Sequence, residues 1–183
     1  FELDSEVLGI NLDDLKRILK RCGTGGSVIF EKKDNMLEIQ INDRIARKFT
    51  LNLIEIESED KEMPSLEFSS KVGISSIDLV DAIEDCGVVA DACSFIVEEG
   101  KFIVAAKGIN SARAEFSGDE ATIQAENCKS RYSLEYLQKF MKGAKLCEKA
   151  IIKFAADHPL RLDFRTGELE LSFILAPRVE TED

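Results

Sequence analysis

Leu53-Ile-Glu-Ile-Glu-Ser-Glu-Asp-Lys-Glu-Met-Pro-Ser-Leu-Glu-Phe68 divides this sequence in two. The stretch opens with the alternation of a β-strand and then breaks into a charged run. Glu55, Glu57, Glu59, Asp60 and Glu62 surround Lys61, and Met63-Pro64 follows before a new apolar segment begins. Charge is costly to bury, and Pro64 has no N–H to give to a β-ladder, so the stretch reads as an exposed connector. The residues on its two sides resemble each other, and that symmetry decides the fold.

Upstream, Phe1 to Ile10 alternates apolar and acidic residues and is expected to be a strand. Asn11 is placed to cap a helix, with Asp14 at the capping-box position and Asp13 favoured by the helix dipole. Leu12, Leu15, Ile18, Leu19 and Cys22 fall on one helical face, and Gly23 is expected to close the helix in the left-handed conformation. Gly23-Thr-Gly-Gly-Ser27 follows a helix and opens a strand. A phosphate loop has the reverse arrangement, so this segment reads as a turn. Alternation then predicts strands at Ser27–Lys32, Met36–Ile41 and Lys48–Ile56, with a turn at Lys33-Asp34-Asn35.

Downstream, Leu66–Ile74 reads as a strand. Ser75 with Asp78 opens a helix through about Val89, with Leu79, Ala82, Ile83 and Cys86 on its core face. Strands are expected at Ser94–Val97, Lys101–Ala106, Ser111–Phe116, Ala121–Ala125 and Lys129–Tyr132. Ser133 caps a third helix with Leu134, Leu137, Phe140 and Met141 inward. Ala150–Phe154, Leu160–Phe164 and Glu168–Leu175 complete the strands, and a charged tail runs from Arg178 to Asp183.

The two sides align. Asn11-Leu-Asp-Asp-Leu-Lys-Arg-Ile-Leu-Lys20 matches Ser133-Leu-Glu-Tyr-Leu-Gln-Lys-Phe-Met-Lys142 in cap, leucines, acid and bases. In order, Ser27-Val-Ile-Phe matches Ile151-Ile-Lys-Phe, Leu37-Glu-Ile-Gln-Ile matches Leu160-Arg-Leu-Asp-Phe, and Phe49-Thr-Leu-Asn-Leu matches Leu169-Glu-Leu-Ser-Phe. Four matches in one order indicate a structural repeat. The second copy holds two helices, whereas the first holds only its latter half.

The first helix carries Lys16, Arg17, Lys20 and Arg21 opposite its apolar stripe. Lys139 and Lys142 of the third helix stand at the positions of Arg17 and Lys20, and Lys145 follows. The middle helix is acidic on its polar face, with Asp78, Asp81, Glu84 and Asp85. Taken alone, a basic helix face is a solvated surface; its recurrence at repeat-equivalent positions in an acidic chain points towards function.

The net charge of −11 excludes a protein that grips DNA by its general outer surface. It leaves room for a basic lining kept apart from an acidic exterior. The 183 residues suffice for one large or two small domains, and 44% are apolar. Cys22, Cys86, Cys93, Cys128 and Cys147 show no CxxC spacing and are read as reduced thiols of an intracellular protein. No metal-ligand pattern accompanies them. His158 is the single histidine. It lies beside Asp157 and Pro159, with no motif supplying a nucleophile, so no enzyme is expected.

The helix, the strands, the acidic connector with Met63-Pro64-Ser-Leu-Glu-Phe68, the Tyr136-Leu137 helix and the ending Leu175-Ala-Pro-Arg-Val-Glu180 resemble the DNA sliding clamp family, proliferating cell nuclear antigen (PCNA), of archaeal type. The resemblance covers essentially the whole chain. It implies an α+β DNA-clamp fold of repeated domains, each with two helices packed on antiparallel sheets. By the same resemblance the first domain is expected to be incomplete and to lack its first part. The implied layout is 1–53 for the latter half of the N-terminal domain, 54–66 for the interdomain connector, 67–177 for the complete C-terminal domain and 178–183 for the tail.

The resemblance also implies a processivity factor without enzymatic activity or cofactor. Three copies close a head-to-tail homotrimeric ring around duplex DNA, without reading its sequence. DNA-facing residues are then Lys16, Arg17, Lys20, Arg21, Lys139, Lys142 and Lys145. DNA polymerase, the clamp loader, flap endonuclease and DNA ligase dock a short peptide in a groove at Lys61, Met63, Pro159, Ile174, Leu175, Ala176 and Pro177. Subunits join through Arg47, Lys48, Phe49 and Leu51 of one copy and Ser111, Arg113 and Phe116 of the next. The implied location is the cytoplasm of an archaeal cell, or a eukaryotic nucleus, with no membrane partner. The alternative is a peptide-binding scaffold, or a clamp fragment, that does not close on DNA.

Overall fold

Asn11 starts the first helix. Its Oδ1 accepts from the N–H of Asp13 at 3.0 Å and of Asp14 at 3.2 Å, which fixes α1 at Leu12–Leu19. The computed structural model describes residues 7–56 and 64–179. These belong to two compact units, Phe1–Pro64 and Ser65–Asp183.

In the first unit α1 leads into β1 (Ser27–Lys33), β2 (Met36–Asn42) and β3 (Ala46–Asn52), an antiparallel meander in that order. Lys33 pairs with Met36, so the hairpin turns on Asp34-Asn35, with Asp34 at φ +50°. Alternation puts Leu37, Ile39 and Ile41 on the inner face of β2, where all three are buried. Leu15 and Ile18 of α1 and Phe49 and Leu51 of β3 pack against them.

Three sequence expectations change here. First, α1 ends at Leu19. Arg21 and Cys22 tighten the last turn by donating to Ile18 O (2.9 Å) and Leu19 O (3.0 Å). Gly23 is not left-handed; Gly25 is, at φ +80°, and the Gly23 N–H donates instead to Asp43 Oδ2 at 3.1 Å. Second, of the strand expected over Phe1–Ile10, residues 1–6 lie outside the described residues and 7–10 form no strand. They are tied by the bond from Ile54 N–H to Gly9 O at 3.0 Å and by the packing of Leu8 and Ile10 on the core beside β2. A Cβ at residue 9 would collide with Ile54 O, so this approach requires glycine. Third, β3 runs Ala46–Asn52 rather than Lys48–Ile56. Its partner β2 begins at Met36, so Leu53 N–H finds only Asn35 O (2.9 Å) beyond the ladder.

The second unit contains β4 (Ser70–Ser75), α2 (Ser76–Val89), β5 (Ala92–Glu98), β6 (Lys101–Lys107), β7 (Ser111–Phe116), β8 (Ala121–Ala125), β9 (Cys128–Ser133), α3 (Leu134–Ala144), β10 (Lys149–Phe154), β11 (Leu160–Arg165) and β12 (Glu170–Leu175). One sheet has the order β12-β11-β10-β4-β8 and the other β7-β6-β5-β9, every pairing antiparallel. Helix α3 followed by β10, β11 and β12 reproduces α1 followed by β1, β2 and β3, so the repeat is present in the fold.

The core of this unit lies among the two sheets, α2 and α3. Leu79, Ile83 and Cys86 of α2 and Leu134, Leu137 and Met141 of α3 are buried in it, as the helical spacing predicts. Phe95 packs edge-on against Phe102, Tyr132 and Phe154, with centroids 5.4–6.1 Å apart.

The strand expected from Leu66 begins only at Ser70. Its neighbour β8 ends at Ala125, opposite Ser70, so 66–69 have no ladder to join. The last strand starts at Glu170, not Glu168, because Thr166 Oγ1 holds the N–H groups of Glu168 (3.3 Å) and Leu169 (3.0 Å) in the turn. Ser75 and Ser133 occupy the N-cap positions, but neither side chain caps. Each follows directly from a strand, and the first helical N–H groups reach backbone carbonyls instead. Ser76 N–H donates to Glu148 O (2.9 Å) and Leu134 N–H to Asp91 O (3.0 Å). No helix among the described residues is long and apolar enough to cross a membrane.

Candidate functional site

The two basic helices differ in how freely they offer their charge. On α1, Arg17 is held by Asp14 one turn back at 2.5 Å, whereas Lys16, Lys20 and Arg21 form no ion pair with a described residue. On α3, Lys139 pairs with Glu135 at 2.7 Å and lies 5.2 Å from the centroid of the Tyr136 ring. The carboxylate holds the Lys139 ammonium above its ordinary pKa, and Glu135 is lowered in return. Lys142 and Lys145 form no ion pair with a described residue. They stand at the mouth of a cavity of about 400 Å³ between α2 and α3, floored by Ile77, Val80, Met141 and Ala144. Glu84 of α2 faces them there, so the acidic helix borders the basic one.

The expected groove residues fall around the end of β12. Ile174 pairs with Arg161 and Leu175 with Leu160, both half-buried; Ala176 is exposed and Pro177 half-buried. Pro159 is half-buried in the loop before β11. The carbonyl of His158 there accepts from Tyr132 Oη at 2.8 Å and from Ser130 Oγ at 3.3 Å. The His158 ring meets Phe68 edge-on at 5.9 Å. Lys61 and Met63 lie outside the described residues.

The structure gathers side chains here that sequence reasoning did not single out. A hollow of about 490 Å³ is lined by Lys129, Arg131, Ala156, Asp157 and Arg178 along with Pro177. Arg178 locks the segment after β12 to the body of the unit. Its N–H donates to Arg131 O at 2.7 Å, and its guanidinium pairs with Asp91 at 2.8 Å. That ion pair holds the Asp91 carboxyl below its ordinary pKa. The sequence signal was present only as a basic residue after Leu-Ala-Pro, with nothing to name its partner far upstream.

The expected subunit-joining strands are sheet edges. β3 closes one side of the three-stranded sheet and β7 one side of the four-stranded sheet. Along β3, Arg47, Phe49 and Leu51 are half-buried and Lys48 is exposed. Arg47 is engaged within its own unit, donating to Asp43 at 2.6 and 2.8 Å and to Arg21 O at 2.5 Å. Lys48 pairs with Glu38 at 2.5 Å. On β7, Ser111 is exposed, Arg113 pairs with Glu115 (2.6 Å) and Glu98 (3.1 Å), and Phe116 stacks on Phe102 at 6.0 Å.

All five cysteines are free thiols. Cys86 and Cys93 are both buried, and the neighbouring Cys86 thiol together with burial pushes the Cys93 thiol well up. Among the described residues no group of three His, Cys, Asp or Glu is placed to hold a metal ion.

The model of the proliferating cell nuclear antigen C-terminal domain matches residues 62–179. The DNA polymerase sliding clamp of Thermococcus onnurineus is 36% identical over 184 residues, covering 97% of this chain and 74% of that protein. That of Pyrococcus furiosus is 34% identical over 186 residues, with the same coverage. The crystal structure of PCNA from Thermococcus kodakaraensis superposes with a TM-score of 0.87 at 24% identity, covering 97% of this chain and 76% of that one. The repeat, the two-sheet architecture and these matches agree: this chain belongs to the proliferating cell nuclear antigen family of DNA polymerase sliding clamps.

Proposed function

We propose that this chain is a subunit of a sliding clamp, a ring that encircles duplex DNA and holds DNA polymerase to it. One observation carries the reading. In a chain of net charge −11, cations recur at equivalent positions on α1 and α3, on a framework that matches sliding clamps. Lys16, Arg17, Lys20 and Arg21, with Lys139, Lys142 and Lys145, face the DNA. A linked ring needs no tight grip. A few mobile cations that exchange with counterions let it slide, while the acidic exterior repels DNA from other surfaces.

The remaining surfaces serve assembly and recruitment. The edges β3 and β7 of neighbouring copies pair head to tail in a homotrimer, which removes two open strand edges. Arg47, Lys48, Phe49 and Leu51 lie on one side of that joint and Ser111, Arg113 and Phe116 on the other. The connector 54–66, with Lys61 and Met63, forms a groove with Pro159, Ile174, Leu175, Ala176 and Pro177. Short peptides of DNA polymerase, clamp loader, flap endonuclease and DNA ligase dock in it. The protein carries out no catalytic step and acts where an archaeal cell keeps its chromosome.

Alanine at Lys20 and Lys142 tests the reading. Retention on closed circular duplex should fall while peptide docking persists; unchanged loading and retention would favour the peptide-binding scaffold.

A further inference from the structure

The face of the five-stranded sheet turned away from the core carries charge of the wrong sign for this chain. Side chains alternate along a strand, and the register sets the outward ones in rows. One row reads Ile174, Arg161, Lys153, Lys71 and Gln124 across β12, β11, β10, β4 and β8. The next reads Ser172, Asp163, Ile151, Gly73 and Thr122. Beyond it stand Lys149, opposite Ser75, and Arg165, opposite Glu170. Among the described outward residues of these strands, five cations therefore stand with two acids, Asp163 and Glu170.

Asp163 cannot balance them. Its side chain is 1% exposed and lies under Arg161 (2.8 Å), Lys153 (3.6 Å) and Arg165 (3.8 Å), with Ser172 donating at 2.6 Å. Burial raises its pKa, but the bonds from Ser172 and Arg161 outweigh burial and keep it ionised. One carboxylate thus gathers three cations, of which Arg165 also pairs with Glu170 at 2.7 Å. Lys71 and Lys149 are exposed and have no ion pair with a described residue.

The equivalent face of the first unit shows that this is no general consequence of the repeat. Glu38 of β2 is likewise buried beneath basic residues, Lys48 and Lys33. There the outward residues of β1, β2 and β3 include Glu31 as well, so two cations meet two acids. Among the described residues, only the sheet face of the second unit carries more cations than acids.

We propose that this face is a docking surface for an extended acidic peptide segment of a partner protein. The rows at Lys153 and Lys149 are four residues apart, about 13 Å along the strands. An extended segment running parallel to them repeats at the same pitch. Carboxylates at its positions i and i+4 meet the two cation rows, and position i+2 lies over Ile151 and the bare backbone of Gly73. The fitting pattern is acid-x-apolar-x-acid. Single-stranded nucleic acid fits less well, because none of these outward positions is an aromatic residue on which bases could stack. Duplex DNA extends beyond a patch of about 10 by 13 Å into the field of a net acidic protein. The surface borders the proposed groove at Ile174, at the β12 end of the first row, while Lys71 and Lys149 lie on β4 and β10 away from it.

The test is fluorescence anisotropy on the full chain with a labelled, roughly nine-residue peptide centred on Asp-Ser-Val-Ser-Asp, long enough to span both rows. The acidic peptide should bind, and its lysine counterpart should not. Raising salt from about 20 to about 150 mM should weaken binding. Lys71→Glu with Lys149→Glu should raise Kd about tenfold without shifting thermal unfolding. If that pair disturbs the fold, amide shift mapping on the unaltered chain gives the answer, with perturbations expected at Lys71, Ile151, Lys153 and Arg161. Absent peptide binding, binding indifferent to the charge reversal, shifts located elsewhere, or a short duplex that binds better with the same sensitivity would each overturn the proposal.

Discussion

The Tyr132 hydroxyl donates to the backbone carbonyl of His158 at 2.8 Å, tying β9 of one sheet to the loop that enters β11 of the other. Pro159 follows in that loop, so a buried phenol in the core sets the position of a residue of the proposed groove. Burial pushes the Tyr132 phenol well above its ordinary pKa, so it remains a protonated donor. Tyr132→Phe removes one of two donors to this carbonyl and should cost about 1–2 kcal/mol in thermal unfolding. It should also weaken binding of a polymerase-derived peptide; unchanged stability and binding would detach the loop from the groove.

Gly143 gives a prediction whose sign is set by sterics. It lies inside α3, where alanine ordinarily gains about 1 kcal/mol over glycine. Here a Cβ would meet Leu171 Cδ2 at 2.9 Å and the buried Phe164 ring at 3.2 Å. Gly143→Ala should therefore destabilise, by about 1–2 kcal/mol, because overpacking exceeds the propensity gain. Chemical denaturation with an unchanged m-value is the check.

Glu38 sets an acid limit on the first unit. Bonds from Lys48, then Gln40, lower its pKa from 4.5 to about 2. A carboxylate depressed on folding contributes stability above its unfolded pKa and loses it as pH falls through the folded value. Stability of this unit should decline from pH 4.5 towards pH 2. Glu38→Gln should flatten that decline, measured by circular dichroism across the interval; an identical slope in the variant would rule Glu38 out as the cause.

On the helices proposed to face DNA, paired and unpaired cations should behave differently. Removing Lys20 or Lys142 should each reduce the salt dependence of DNA retention by about one unit of slope. Removing Arg17 or Lys139 should do less, because Asp14 and Glu135 already neutralise part of their charge. Equal effects from all four would mean that these ion pairs open on DNA.

Periodicity made the helices, the meanders and the repeat legible, because burial of one face forces it on the residues: Leu79, Ile83 and Cys86 were readable as core from spacing alone. Boundaries were less legible, since they depend on what lies opposite. Ser70 begins β4 only because Ala125 ends β8, and the N–H groups of Ser76 and Leu134 are satisfied by distant carbonyls rather than by the serines before them. The candidate site was open to reading where it rests on local spacing, as on α1 and α3. It was hidden where it rests on distant pairing, as with Arg178 and Asp91 or the cations gathered over Asp163.

The most direct test of a clamp is topological. The chain is loaded by a clamp loader onto a nicked circular duplex, and the DNA-bound fraction is followed by gel filtration before and after a single restriction cut. Retention on the circle and release on linearisation is the expected result. Equal retention on circle and line, or equal loss from both, would contradict an encircling ring.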